Sequence, residues 1–176
     1  VQGNDLTGDR RGRLRQIAYV DQNAKRGVVG VLTTQENLAL AACGGTPSPW
    51  RRALTRSRTA RLSDVLAKGG MPRRIVDLPA DHLSGGERQI LNLLTLLARE
   101  QTPGIVFLDE PANNLDVANQ ERCLRIIETL RERGVSVVWI SHTELDGMPS
   151  EIEIDMDKVN GDGHLEFAKS GITSHA

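Results

Sequence analysis

The sequence predicts an α/β fold in which helices flank a parallel sheet. Residues 104–108 are an apolar stretch of strand length that leads directly into two carboxylates, Asp109 and Glu110. A second apolar stretch, residues 135–140, is followed by Ser141 and His142. Neither stretch alternates between polar and apolar residues, which is typical of strands buried on both faces. Residues 84–97 read as a helix with apolar side chains around most of its circumference, which indicates a deeply buried helix.

Length and composition restrict the class of protein. The 176 residues suit one domain, and 39% hydrophobic and 26% charged residues are ordinary for a globular protein. A net charge of −1 gives no global indication of a nucleic-acid or anionic membrane partner. No apolar run approaches the roughly 18 residues of a membrane-spanning helix, and residues 1–15 are too polar for a signal peptide. Cys43 and Cys123 lack metal-ligand spacing and fit reduced thiols of a cytosolic protein.

The two adjacent carboxylates are candidate functional residues. In open parallel sheets, ligands bind beyond the carboxyl ends of the strands, where Asp109 and Glu110 are expected. Neighbouring side chains of a strand point in opposite directions, so the two acids can take different roles. One can hold a metal ion while the other orients or deprotonates a water. Pro111 lacks an amide donor and is expected to end the strand.

The start of the helix at 84–97 is a candidate phosphate contact. Ser84 and Glu87 have the spacing of a capping box. Gly85 and Gly86 leave the first amides uncovered by side chains, so a phosphate could approach the positive end of the helix. The alternative interpretation of this short pattern is an ordinary helix start.

Taken as longer strings, these segments resemble a known family. Residues 83–89, LSGGERQ, resemble the signature motif of the ABC ATPases, and residues 105–111 resemble their Walker B segment with its catalytic glutamate. The resemblance implies a P-loop NTPase-type parallel core sheet with a helical subdomain at about 35–99. The Walker B segment, D-loop, switch histidine and a short antiparallel β element are then expected within residues 100–176.

Three further segments extend the resemblance. Residues 17–22 and 31–38 are similar to the family's Q-loop and the helix after it, which implies that Gln22 reaches the metal and the attacking water. Residues 112–116 resemble the D-loop at the dimer interface, although Asp116 is also a plausible helix N-cap. His142 resembles the switch histidine that contacts the γ-phosphate, whereas a lone histidine is most often structural.

A basic helix is predicted at residues 50–68, with arginines at 51, 52, 56, 58 and 61. Such a charge run is either a solvated helix face or a docking surface for a membrane partner or lipid head groups. Aromatic residues are only 3% of the chain, so base stacking on nucleic acid is disfavoured. The remaining predicted elements are a turn-rich loop through residue 12, helices at 34–42 and 117–133, and a hairpin turn at residues 160–161.

The sequence lacks the phosphate-binding string G-x-x-x-x-G-K-[ST]. Lys169 and Ser170 follow Gly163 at a suitable distance, but Ala168 stands where the second glycine belongs. That segment also follows the acidic strand instead of preceding it. The chain is therefore interpreted as an ABC nucleotide-binding domain truncated at its amino terminus, and we expect these 176 residues alone to show no appreciable ATPase activity.

The resemblance implies hydrolysis of ATP, with Mg²⁺, in a head-to-tail dimer of two nucleotide-binding domains. Ser84, Gly85, Gly86, Glu87 and Asp116 would contact nucleotide or the dimer interface; Asp109 and Gln22 would hold the metal; Glu110, His142 and Gln22 would serve catalysis. The implied protein is a bacterial small-solute importer subunit, cytoplasmic and bound to a membrane permease at the inner face of the membrane, with no direct nucleic-acid contact. Two alternatives remain. One is a soluble ABC protein acting on ribosomes or DNA, which Asn113 and Asn114 slightly favour, and the other is a non-catalytic fragment.

Overall fold

The computed structural model describes residues 7–44 and 56–141, which belong to the first of two compact units, Val1–His142. The helices and strands are α1 Arg10–Gln16, β1 Ile17–Val20, α2 Thr34–Ala42, α3 Arg56–Lys68, α4 Gly85–Ala98, β2 Ile105–Asp109, α5 Val117–Glu132 and β3 Ser136–Ile140. Short 3₁₀ turns occupy Ala24–Arg26, Arg73–Ile75 and Ala80–His82. His142, the predicted helix start at 50–55 and the predicted carboxyl-terminal hairpin lie outside the described residues. The domain limits at 35–99 and 100–176 stay a prediction.

The sheet has three strands in the order β1-β2-β3, and both neighbouring pairs are parallel. The parallel core predicted from the sequence is therefore confirmed. In register, Val20 lies beside Leu108, and Asp109 lies beside Ile140. The carboxyl ends of all three strands consequently meet at one edge of the sheet.

Helix α4 is the centre of the core. Its six predicted apolar side chains are all at most 4% exposed: Ile90, Leu91, Leu93, Leu94, Leu96 and Leu97. The helix packs against α2, α3 and α5. Full burial of a leucine or isoleucine side chain stabilises the folded chain by roughly 1.5–3 kcal/mol. The prediction of a deeply buried helix is therefore correct.

The sheet is covered on one face by the described part of the chain. Val106 and Leu108 are fully buried, whereas Ile105, Phe107 and Asp109 are only partly buried. The same uncovered face carries Tyr19, which is 56% exposed, and two β3 residues, Val138 and Ile140. The sequence predicted that β2 is buried on both faces. Residues 7–44 and 56–141 bury it on one face only.

The amino-terminal region differs from its prediction. Residues 10–12 were expected in a loop, but they start α1, which leads straight into β1. Asp9 explains the difference, because its Oδ1 accepts a hydrogen bond from the Gly12 amide at 2.8 Å. An aspartate N-cap of this kind offsets the low helix propensity of Gly12.

Two arginines of the basic helix α3 point into the fold. Arg58 forms an ion pair with Glu100 at 2.6 Å and donates to the Cys43 sulfur at 3.4 Å. Arg61 donates to the carbonyl of Ala98, the last residue of α4. Cations at a helix carboxyl terminus satisfy its unpaired carbonyls and complement its dipole. Part of the predicted basic face therefore serves packing between helices.

Both cysteines are free thiols, as predicted. Cys123 is buried on α5, and burial raises the pKa of its thiol to about 12. Because the thiolate is the reactive form, Cys123 is an inert core side chain.

Backbone protection should differ between the strands. Strand β2 has a hydrogen-bonded neighbour on each side, whereas β3 pairs only with β2 among the described residues. We therefore expect slower hydrogen exchange at residues 106–108 than at residues 137–139, measured by NMR or mass spectrometry. Equal protection of the two segments would show that β3 is paired on its second side as well.

Candidate functional site

The carboxyl edge of the sheet brings two predicted site residues into contact. Gln22 follows β1, and Glu110 follows β2. Because the two strands run parallel and in register, their ends are adjacent, and Gln22 Nε2 donates to Glu110 Oε2 at 2.8 Å. Asp109 is the last residue of β2, immediately before Glu110. The structure thus groups Gln22, Asp109 and Glu110 at this edge of the sheet.

The backbone at Glu110 is held in an unusual conformation. Its φ of 44° lies in the left-handed region, which costs a residue other than glycine roughly 1–3 kcal/mol. Its amide donates to the Ile140 carbonyl at 2.8 Å, and its carbonyl accepts from the Asn113 amide at 3.1 Å. These bonds on both sides fix the direction in which the Glu110 side chain leaves the strand.

Asn113 was not singled out as a site residue from the sequence, yet it contacts Glu110. Its side-chain amide donates to Glu110 Oε2, the same oxygen that receives Gln22. The neighbouring Asn114 has a φ of 57°, a conformation that asparagine tolerates better than most residues. Two successive asparagines after a strand indicate a turn, but they do not show that the side chain of the first one donates to Glu110.

Tyr19 is a second residue that sequence reasoning missed. Its hydroxyl donates to Asp109 Oδ2 at 2.7 Å. The two side chains share a face because Tyr19 pairs with Phe107, two residues before Asp109. This hydrogen bond to Asp109 raises the pKa of the Tyr19 hydroxyl above its ordinary value. The contact depends on strand register, which the sequence alone does not give.

Tyr19 is the chain's single tyrosine, so its ionisation can be followed directly. We expect an absorbance titration near 295 nm with a midpoint above 10, because ionisation breaks the bond to the Asp109 carboxylate. Since the folded-state pKa is the higher one, the stabilisation by this bond is present below pH 10 and is lost as pH rises through the folded midpoint. Asp109→Asn should move the midpoint down towards 10. An unchanged midpoint in that variant would mean that the two side chains do not interact.

The start of α4 has the predicted capping box. The Ser84 amide donates to Glu87 Oε2 at 3.0 Å, and the Glu87 amide donates to Ser84 Oγ at 3.1 Å. Arg74, from the turn at Arg73–Ile75, forms an ion pair with Glu87 Oε1 at 2.9 Å. Burial disfavours ionisation of Glu87, but the bonds from Ser84 and the charge of Arg74 outweigh it and lower the pKa of this carboxyl. The negative charge of Glu87 is therefore compensated locally.

The two signature glycines have different surroundings. A Cβ added at Gly85 would meet nothing within 4 Å, so this amide region is open. A Cβ added at Gly86 would lie 2.6 Å from Asn119 Nδ2 and 3.5 Å from a Leu115 methyl group. Gly86 thus permits the close approach of α4 and α5.

Asp116 is the N-cap of α5. Its Oδ1 accepts from the Asn119 amide at 2.8 Å, so the capping interpretation of Asp116 is correct. Asn119 also lies against Gly86, at the start of α4. The structure therefore places Ser84, Gly85, Gly86, Glu87 and Asp116 at the neighbouring amino termini of two helices.

The residues at the carboxyl edge fit a magnesium ion bound together with phosphates. Mg²⁺ in such sites uses one or two carboxylates, substrate phosphates and several waters. Asp109 provides a carboxylate and Gln22 an amide oxygen in the same region. Within the described residues, no group of three or more His, Cys, Asp or Glu side chains could hold a metal ion by itself. A dedicated structural metal site is thus not seen in this part of the chain.

The parallel sheet with its helices, and the carboxylates at the strand ends, define an α/β domain with a polar site at the carboxyl edge of the sheet. A family model described as "AAA domain, putative AbiEii toxin, Type IV TA system" matches residues 56–145. The cobalt import ATP-binding protein CbiO of Syntrophus aciditrophicus (strain SB) is 29% identical over 94% of this chain and 55% of its own length. The lipoprotein-releasing system ATP-binding protein LolD 1 of Caulobacter vibrioides is 34% identical over 80% of this chain and 57% of its own length.

Among solved structures, the dimeric structure of a bacterial ABC transporter cassette is 25% identical with a TM-score of 0.59, over 74% of this chain and 54% of that one. The chain belongs to the family of the matching AAA-domain model and, as its motifs predicted, to the ABC-type ATPases. It spans about half the length of the curated relatives it matches. No helix in the described part of the chain has the length and hydrophobicity to cross a membrane.

Proposed function

We propose that the chain forms the hydrolytic half-site of an ABC transporter ATPase. The observation that carries the proposal is the contact between Gln22 and Glu110, 2.8 Å long, beside Asp109 at the carboxyl edge of the sheet. A carboxylate held by a neutral amide in this position can orient a water and accept its proton. The substrate of that water would be the γ-phosphate of ATP.

In this proposal Glu110 is the general base. The left-handed backbone at Glu110 and the bond from Gln22 hold its carboxylate in one orientation, so that little reorganisation is needed at the moment of reaction. Asp109 and Gln22 would hold Mg²⁺, which would neutralise the charge that develops on the phosphate oxygens. His142 would contact the γ-phosphate, as its place after β3 in the sequence suggests.

The start of α4 would bind the nucleotide of a second protomer. The open backbone at Gly85 lies at the positive end of a long helix, which suits a phosphate. Arg74 offsets the negative charge of Glu87 beside this position. Asp116, next to it, would face the same dimer interface.

A complete site also needs a phosphate loop, because the 176 residues contain no G-x-x-x-x-G-K-[ST] string. The proposed activity is therefore that of a protein that combines these residues with such a loop; below, this is called the intact protein. Such a loop would wrap the β-phosphate with backbone amides and place a lysine on the β and γ oxygens.

We further propose that the transporter imports a small solute. One support is that residues 33–40, the predicted basic helix at 50–68 and residues 89–97 resemble bacterial importers of small solutes. The other is a cobalt import protein among the relatives. A lipoprotein-releasing protein among the relatives leaves the direction of transport to experiment. The domain would bind a membrane permease at the inner face of the cell membrane.

Replacing Ser84 by Arg should prevent ATP-dependent dimerisation of the intact protein. The bulky side chain would occupy the position of the γ-phosphate at the start of α4. Sedimentation with ATP should show a dimer for the wild type and a monomer for Ser84→Arg. Ser63→Arg, on an exposed position of α3, is the matched control and should dimerise normally. Normal dimerisation of Ser84→Arg would remove α4 from the proposed nucleotide contact.

A further inference from the structure

We propose that Asn113 is a positioning residue for Glu110 and acts as a pair with Gln22. This inference rests on the proposed function, in which Glu110 is the general base. It adds a residue that none of the motif comparisons assigns. In this arrangement, the orientation of the Glu110 carboxylate depends both on the loop after β1 and on the turn after β2.

The two amides converge on one oxygen. Gln22 Nε2 donates to Glu110 Oε2 at 2.8 Å, and Asn113 Nδ2 donates to the same atom. The terminal torsion of a glutamate side chain has broad minima, so the side chain does not define its own carboxylate plane. Two donors from different segments define it instead. Removing either one takes away one of these two restraints on the carboxylate.

The turn fixes Asn113 itself. The Asn113 amide donates to the Glu110 carbonyl at 3.1 Å, and the Leu115 amide donates to the Ala112 carbonyl at 3.3 Å. Asn114, between these bonds, adopts its left-handed conformation. These two hydrogen bonds hold the turn together, so Asn113 has little freedom to turn away from Glu110.

The same turn touches the start of α4. A Leu115 methyl group lies 3.5 Å from the position of a Cβ on Gly86, and Asp116 caps α5 directly afterwards. A displacement of residues 113–116 would therefore move Asn113 relative to Glu110.

A purely structural role of Asn113 makes a different prediction. Asparagine is common in turns because its side chain and backbone tolerate the geometry, and aspartate shares this property. If Asn113 only shapes the turn, Asn113→Asp should be nearly neutral. If Asn113 holds Glu110, Asn113→Asp should be harmful, because it replaces the donor by an acceptor and places two carboxylates together. Gln101→Glu is the control, since it adds the same charge at an exposed position before β2.

The contact can be tested on the 176-residue chain without nucleotide. The side-chain amide resonances of Gln22 and Asn113 in a ¹⁵N-correlated NMR spectrum should both shift in Glu110→Gln, because their common acceptor loses its charge. The side-chain amide of Asn37, which donates to the Val29 carbonyl at 3.0 Å, serves as the internal control and should stay in place. An unmoved Asn113 resonance would overturn the inference, whatever the activity of the intact protein.

The catalytic consequence needs the intact protein. Asn113→Asp and Asn113→Ala should lower kcat about 10–100-fold and change the KM for ATP by less than about twofold, because orientation of the base is lost while nucleotide binding is retained. Gln101→Glu should keep kcat within about threefold of the wild type. Equal effects of Asn113→Asp and Gln101→Glu, or an effect on KM alone, would overturn the positioning role. ATP turnover that does not depend on Glu110 would instead overturn the proposed function, while the NMR contact persists.

Discussion

Glu110→Gln in the intact protein is expected to lower ATP turnover by roughly 10²–10⁴-fold, the range that general acid–base catalysis contributes. The glutamine keeps the length of the side chain, and its oxygen can still accept from Gln22 and Asn113. It cannot accept a proton from water. ATP should therefore bind without being hydrolysed, and the protein should accumulate as an ATP-bound dimer. Steady-state ADP release and sedimentation with ATP measure the two effects.

Glu128→Gln is a suitable control for this experiment. Glu128 lies on α5 in an exposed ion pair with Arg131, at 3.2 Å, and has no place in the proposed site. Exposed pairs of this kind contribute little to stability, so the control should fold and turn over ATP normally. Wild-type turnover by Glu110→Gln would show that another group accepts the proton.

Local sequence patterns predicted the elements whose environment is decided locally. Helix α4 begins at the capping box of Ser84 and Glu87, because both partners lie within one turn of the helix. Its apolar residues cover most of the circumference, which predicted that the helix lies in the core. The start of α5 was also predicted from a local pattern, because its N-cap, Asp116, directly precedes the helix.

Contacts across the sheet were only partly predictable. The rule that ligands bind at the carboxyl ends of parallel strands predicted the place of Asp109 and Glu110, whereas Gln22 was placed there by the resemblance to the Q-loop. The bond from Tyr19 to Asp109 depends on the register of β1 against β2, and a shift by one residue would turn Tyr19 to the other face. Charge patterns were also ambiguous, since Arg61 binds the carbonyl of the last residue of α4 and Arg58 pairs with Glu100 just beyond it, instead of facing solvent alone. The partners of long side chains depend on how the helices pack, which a charge pattern in the sequence does not give.

The largest effect on stability is expected for Leu94→Ala. Leu94 lies on α4 with no exposed surface, and its removal should lower the free energy of unfolding by about 2–5 kcal/mol through lost burial and a residual cavity. A Cβ added at Gly69, after α3, would lie 2.6 Å from a Leu94 methyl group, so the two residues are in direct contact. Gly69→Ala should therefore also destabilise, by about 1–3 kcal/mol, because it overpacks this contact.

The double variant tests whether that contact is the cause. In Gly69→Ala/Leu94→Ala, the added methyl group enters the space left by the leucine, so the total loss should be smaller than the sum of the two single losses. Urea unfolding of the 176-residue chain measures all three variants. Val31→Ala, at a position that is 80% exposed, is the control and should stay within about 0.5 kcal/mol of the wild type. A strictly additive double variant would mean that Gly69 and Leu94 do not share the packing contact, and that the α3–α4 arrangement differs from the one described.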